Sequence, residues 1–281
     1  MDRSVRTIDD VMKLLDGLFE PAADRWSADG AAWWDGFYAD RSKPVPFFAD
    51  KPDESLVSYG ERGLLTPGRA LDLGCGPGRN ALHLASLGFA VDAVDLSQGA
   101  LAWAADRARA AGADVRFHHG DAFALARAEL SGPYDLIYDS GCFHHLPPHR
   151  RVSYLALLDR LLAPGGHFAL GCFAAGEAGM GSELSDADFY RQGGLHGGLA
   201  YTAESLRGIF AGLTEVELRR MHDEPPGSPH FGEPFLWAAL FRRDVQPARE
   251  AQERFGGPAL LDRQGPHARR PPSTDSATPV M

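Results

Sequence analysis

Three cysteines in 281 residues are too few for a disulfide framework, and positions 75, 142 and 172 do not match the spacing of a zinc site. No apolar run approaches the roughly 20 residues needed to span a bilayer. The opening stretch "MDRSVRTIDDVMKLLDGLFEP" is amphipathic and acidic, without the apolar centre of a signal peptide. Positive charge is also scarce: 28 Lys and Arg stand against 38 Asp and Glu, a net charge of −10. That balance argues against a protein that grips nucleic-acid backbones. Together these absences predict a reduced, cytoplasmic protein whose partner is neither nucleic acid nor membrane.

What remains is an ordinary globular composition, 44% hydrophobic and 23% charged, with length for one large domain plus a cover. Residues 8 to 40 read as one or two helices, with Val11, Leu14, Leu15 and Leu18 at helical spacing. An aromatic cluster follows, Trp33, Trp34, Phe37, Tyr38, Phe47 and Phe48, broken by Pro44 and Pro46, which force extended backbone. Residues 1–55 are therefore expected to form an N-terminal helical and aromatic lid, and 56–243 the main domain. Residues 244–281, with "PPSTDSATPV", are expected to be a disordered tail.

From Ala70 strands and helices alternate. "RALDL", "AVDAVDL", "DVRFHHG" and "YDLIYD" read as four strands, and "PGG" at 164–166 as the turn into a fifth, "HFALGCF". Two late strands, "TEVELRRM" and "FLWAALFRR", are joined by a Pro/Gly-rich loop without a helix, which predicts a final antiparallel hairpin. The fold class is α/β with a largely parallel sheet.

The central motif is "ALDLGCGPGRN", residues 70–80, a glycine loop between strand and helix where backbone N–H groups can approach a ligand. Asp95 ends the next strand, about 20 residues on, where a carboxylate can accept from two ribose hydroxyls. The pair suits a nicotinamide cofactor or S-adenosylmethionine. Arg79 stands where a dinucleotide fingerprint needs its third glycine, and Asp72 is an awkward neighbour for a pyrophosphate. Asp72 suits the ammonium end of an amino-acid ligand, and Asp121 in "HHGDAF" can accept from an exocyclic amino group.

In "LDLGCGPGRN", "VDLS", "GDAF", "YDLIYD" and "LLAPGG", in that order, the chain resembles the class I S-adenosylmethionine-dependent methyltransferases from about residue 67 to 173. The resemblance implies a Rossmann-like, doubly wound, seven-stranded sheet with its last strand antiparallel. It implies that Gly74, Gly76 and Gly78, with Asp72 and Asn80, line the methionine end. Asp95 and Leu96 would face the ribose, Asp121 and Ala122 the adenine, and Asp139 and Ser140 the sulfonium. A looser likeness of the "WWDGFY" region is to the N-terminal covers of thiopurine and thiol methyltransferases.

Methyl transfer is an in-line displacement, so the protein must hold the reactants collinear and exclude water. A base helps only if the acceptor atom must lose a proton. His144 and His145, in "SGCFHHLPP", are the candidate catalytic residues, against the plainer role of packing beside the cofactor. His149, Arg150 and Arg151 read as the start and surface of the next helix. No metal is expected. The substrate wall is assigned to Trp34, Tyr38, Cys142, Phe173, Tyr190 and His196, the last two on a long glycine-rich loop at 174–201. The expected partner is a small organic methyl acceptor reacting at O, N, S or activated carbon. Alternatives are a thiol or arsenite-type methyltransferase using Cys142 and Cys172, a non-catalytic S-adenosylmethionine-binding regulator, and a nicotinamide-dependent oxidoreductase.

Overall fold

Thr7 and Asp10 exchange side-chain-to-backbone hydrogen bonds of 3.1 and 2.8 Å, a capping box that starts α1 (Ile8–Asp16). The computed structural model describes residues 5–176 and 178–245, so most of the expected tail, from residue 246 on, lies outside the described residues. Helix α1 turns Met12 inward and leaves Ile8, Val11 and Leu14 exposed, with Leu18 exposed just past its end, so the regular apolar spacing marks an outward face. Helix α2 (Ala31–Tyr38) carries the aromatic run, and α3 (Glu54–Glu61) leads into the sheet. Single 3-10 turns at Pro21–Ala23, Ala28–Gly30 and Pro46–Phe48 break the path between them.

The alternating section then follows: β1 (Arg69–Leu73), α4 (Arg79–Ser86), β2 (Ala90–Asp95), α5 (Gln98–Ala111), β3 (Val115–His119), α6 (Ala122–Ala128), β4 (Tyr134–Ser140), α7 (Arg150–Leu161) and β5 (Leu162–Phe173). Helices α8 (Asp186–Gln192) and α9 (Ala203–Ile209) precede β6 (Thr214–Arg220) and β7 (Leu236–Arg242). The seven strands lie in the order β3-β2-β1-β4-β5-β7-β6. β1 to β5 pair in parallel, and β7 runs antiparallel to both neighbours, as expected.

Pro164–Gly166 is not the turn before the fifth strand. β5 already pairs with β4 at Leu162, opposite Tyr134, and resumes at His167 opposite Leu136, so the Pro-Gly-Gly run is an irregularity inside the strand. Alternation along β1 sends Leu71 and Leu73 into one apolar layer and Ala70 into the other. Asp72 falls between Leu71 and Leu73, fully buried at the carboxyl end of the sheet. The strand order reverses beside β1, between β1 and β4, which is where such sheets leave a crevice for ligands.

Candidate active site

A cavity of about 440 Å³ opens at that crevice. Its floor is the glycine loop. Gly74 and Gly76 sit at φ +65° and +52°, and a Cβ on either would stand 2.8 Å from Cys142 Cβ or 2.9 Å from the Tyr38 hydroxyl. Only glycine allows both the left-handed backbone and those two close approaches. Gly78 instead begins α4 and packs on Ala104 of α5, outside the cavity wall.

The carboxylates divide by what already occupies them. Asp95 accepts from the Gly76 and Ser97 backbone N–H groups, each at 2.8 Å, and burial lifts it to about 6. Asp121 caps α6 through the Phe123 N–H at 2.8 Å, with burial raising its pKa. Asp72 differs: its Oδ2 is buried without any hydrogen-bond partner, and burial pushes its pKa up to about 8 against the pull of Arg79. A desolvated, orphaned carboxyl oxygen on a cavity wall is suited to a cationic or hydrogen-bond-donating ligand. Asn80, Leu96, Ala122 and Ser140 line the same space.

Asp139, expected beside a sulfonium, is not on the wall. It is fully buried and accepts from the Cys142 N–H at 2.9 Å and the Tyr154 hydroxyl at 2.7 Å, so it braces the loop after β4 from behind. Arg79 is buried too, paired with Asp53 and donating to Ser140 Oγ at 3.0 Å.

Both candidate histidines line the cavity, in different states. His144 Nδ1 accepts the Phe173 backbone N–H at 3.2 Å, and its ring stacks on Phe173 at 3.6 Å. His145 meets Trp34 edge-on at 5.1 Å. Burial drives His144 well below its ordinary 6.5 and, with the Arg25 charge, brings His145 to about 4. Both are neutral imidazoles near pH 7, and His144 already has one nitrogen committed.

Trp34, Tyr38, Cys142 and Phe173 form part of the wall, but Tyr190 and His196 do not. The Tyr190 hydroxyl accepts the His149 backbone N–H at 2.9 Å and lies 2.9 Å from its Nδ1. His196 is exposed, at φ +49°. The long loop folds α8 against the start of α7 and the segment after α1, and so points Tyr190 away. Cys172 is enclosed in the apolar core, so the two-cysteine pair does not face the cavity. Among the described residues no group of three or more His, Cys, Asp or Glu is placed to hold a metal ion.

The sequence reading missed how the N-terminal segment is fastened down. Asp16 of α1 receives His149 Nε2 at 2.8 Å and the Arg150 guanidinium at the start of α7. Burial opposes its charge, but those hydrogen bonds hold it down at about 2. Arg150 is thus a carboxylate partner and not a bare surface residue, as is Arg151, which pairs with Asp186 at 2.7 Å. Asp35 of α2 accepts from Ser97 Oγ at 2.7 Å and the Gly99 N–H at 2.9 Å, at the start of α5. Asp53 takes Arg79 and Asn80 at the start of α4. One carboxylate per section of the N-terminal segment grips one core helix at its N-terminal end, where negative charge is favoured. Arg25, Trp26, Trp33, Phe37, Pro46 and Phe47 add to the wall from this segment; only the aromatic composition hinted at them.

A family model described as "Methyltransferase domain" matches residues 70–166. A ubiquinone biosynthesis O-methyltransferase of a Caulobacter species is 33% identical over 153 residues, 50% of this chain and 58% of that protein. An uncharacterized methyltransferase of Schizosaccharomyces pombe is 37% identical over 91 residues, 32% of this chain and 61% of its own length. The chain thus spans about three fifths of the curated relatives it matches. A solved structure described as "Conversion of a Disulfide Bond into a Thioacetal Group during Echinomycin Biosynthesis" superposes with a TM-score of 0.60 at 27% identity, over 80% of this chain and 96% of that one.

Proposed function

From a chain whose residues 70–166 form a class I S-adenosylmethionine-dependent methyltransferase domain, we propose an enzyme that methylates a small organic acceptor enclosed between the glycine loop and the N-terminal segment. S-adenosylmethionine, when bound, supplies a methyl group already activated by the sulfonium. The observation that carries the reading is the orphaned Asp72 oxygen, one strand away from Asp95 in the same cavity. Asp72 would take the ammonium end and Asp95 the ribose hydroxyls. Asp121 with Ala122 would face the adenine, and Gly74, Gly76, Asn80, Leu96 and Ser140 the remaining surface. Gly78 and Asp139 act from behind, by setting the start of α4 and the loop after β4.

The rest of the chain's contribution is enclosure and alignment. Residues 1–55 serve as a lid whose aromatic face excludes water from the acceptor. His144 is a positioning residue, tied to Phe173. His145, with both nitrogens turned to no backbone partner among the described residues, is the side chain that orients the acceptor atom or receives its proton. At about 4 its basicity is low, so it suits an acceptor that holds its proton weakly. An arsenite-type reaction loses its footing with Cys172 in the core. Sulfur stays among the acceptor atoms because the echinomycin-related structure concerns a sulfur substrate. Calorimetric titration with S-adenosylmethionine, S-adenosylhomocysteine and NADH tests the reading: both adenosyl compounds bind and NADH does not. Binding of NADH alone overturns it.

A further inference from the structure

We propose that the acceptor is anionic, an apolar ring system bearing a carboxylate or ionised hydroxyl, and that Arg25 is the residue that selects it. This rests on the methyltransferase reading above. Two guanidinium groups line the cavity, and they differ in what they already hold. Arg79 has the Asp53 carboxylate and Ser140. Arg25 spends only Nη1, on the Ala22 and Asp24 carbonyls at 2.8 and 2.7 Å, and has no carboxylate in ion-pair contact among the described residues. The nearby Asp24 carboxylate is taken by the Trp26 and Ser27 N–H groups, each at 3.0 Å, and by the Ser27 hydroxyl. Those two carbonyl bonds fix the guanidinium, and its Cζ sits 3.7 Å from the centre of the Trp33 ring.

The two cations also serve different ends of the cavity. Arg79 is the positive charge that Asp72 feels, whereas Arg25 is the one that His145 feels. The three acidic wall residues, Asp72, Asp95 and Asp121, stand on the carboxyl side of β1, β2 and β3. The cofactor end is therefore acidic, and the lid end holds a cation stacked on Trp33 that no carboxylate pairs directly among the described residues. A neutral acceptor pressed over Arg25 would strip part of its water and return nothing, while an anion would pair with it beside the Trp33 ring. An acceptor that enters ionised also leaves no proton on that oxygen for two weakly basic imidazoles to remove.

The test uses the protein saturated with S-adenosylhomocysteine and three probes of one shape: 2-naphthoate, 2-naphthamide and 2-naphthylmethylammonium. Calorimetry is expected to show 2-naphthoate binding at least about tenfold tighter than the amide, with the ammonium weakest. Arg25→Met removes that preference, Arg25→Lys restores part of it, and both melt as cooperatively as the parent. S-adenosylhomocysteine affinity stays within about twofold in both variants. The proposal is overturned if the amide binds as well as the acid, if Arg25→Met keeps the preference, or if millimolar 2-naphthoate does not bind. Failure of S-adenosylhomocysteine to bind the parent protein would instead sink the methyltransferase reading.

Discussion

Cofactor capture should release a proton, and Asp72 is its source. With its carboxyl at about 8, Asp72 is mostly protonated at pH 7 in the free protein. A ligand ammonium at the orphaned Oδ2 needs the ionised form, so the proton must leave on binding. Well below the pKa the ionised fraction rises about tenfold per pH unit, so affinity for S-adenosylhomocysteine should rise roughly tenfold from pH 6 to 7. That probe keeps the ammonium but lacks the sulfonium charge, which isolates the Asp72 contribution. Asp95, at about 6, adds its own dependence lower down, so the range above pH 6.5 is diagnostic. Calorimetry at pH 7 in phosphate and in Tris should report close to one proton released, and almost none for Asp72→Asn, which also binds more weakly. An affinity that does not change between pH 6.5 and 7.5, with no proton released, refutes the reasoning.

The same shift carries a stability cost of known sign. The folded chain keeps the Asp72 proton up to about pH 8, whereas the unfolded chain loses it near 3.8, so stability falls as pH rises through that window. Asp72→Asn should therefore melt higher at pH 7 while binding less well, the trade expected of a strained ligand site.

Three further variants separate the other residues of the site. His145→Ala should lower kcat about tenfold or more with cofactor affinity unchanged, and the parent's rate should show no histidine inflection between pH 5.5 and 7.5. His144→Ala should cost about 1 kcal/mol in stability by leaving the partly buried Phe173 N–H unpaired, seen by thermal or urea melting. Asp35→Ala removes two hydrogen bonds at the start of α5. Faster proteolysis of the first 50 or so residues and cofactor affinity weakened severalfold are expected, and an unchanged digestion rate would show that α2 is held by its aromatic face alone.

The acidic side of the cavity was legible because its residues sit where periodicity changes. Asp72, Gly74, Asp95 and Asp121 stand at the ends of short strands, and a strand end in a parallel sheet has a defined place in space. The lid fastenings were not legible, since they depend on pairs 62 and 134 residues apart, Asp35 with Ser97 and Asp16 with Arg150. Nothing local distinguishes those aspartates from solvated ones. Tyr190 and His196 were placed on the wall because a long glycine-rich loop reads as a cover. In the structure that loop forms α8, which turns Tyr190 toward His149. Helix α1 misleads in the other sense, because strong amphipathic spacing says that one face is apolar and not that this face is buried.

The three aspartate fastenings give the molecule an unusual kind of divisibility. Everything proposed to grip the donor is built on the sheet, while Arg25, Trp33 and Trp34 arrive on a segment joined to it at Asp16, Asp35 and Asp53. A graft of another chain's first 55 residues would need to keep those three carboxylates and their spacing to seat on α7, α5 and α4. The rest of its inner face would be free to vary. Acceptor choice would then be a transplantable property, exchanged without disturbing the machinery that holds the methyl donor.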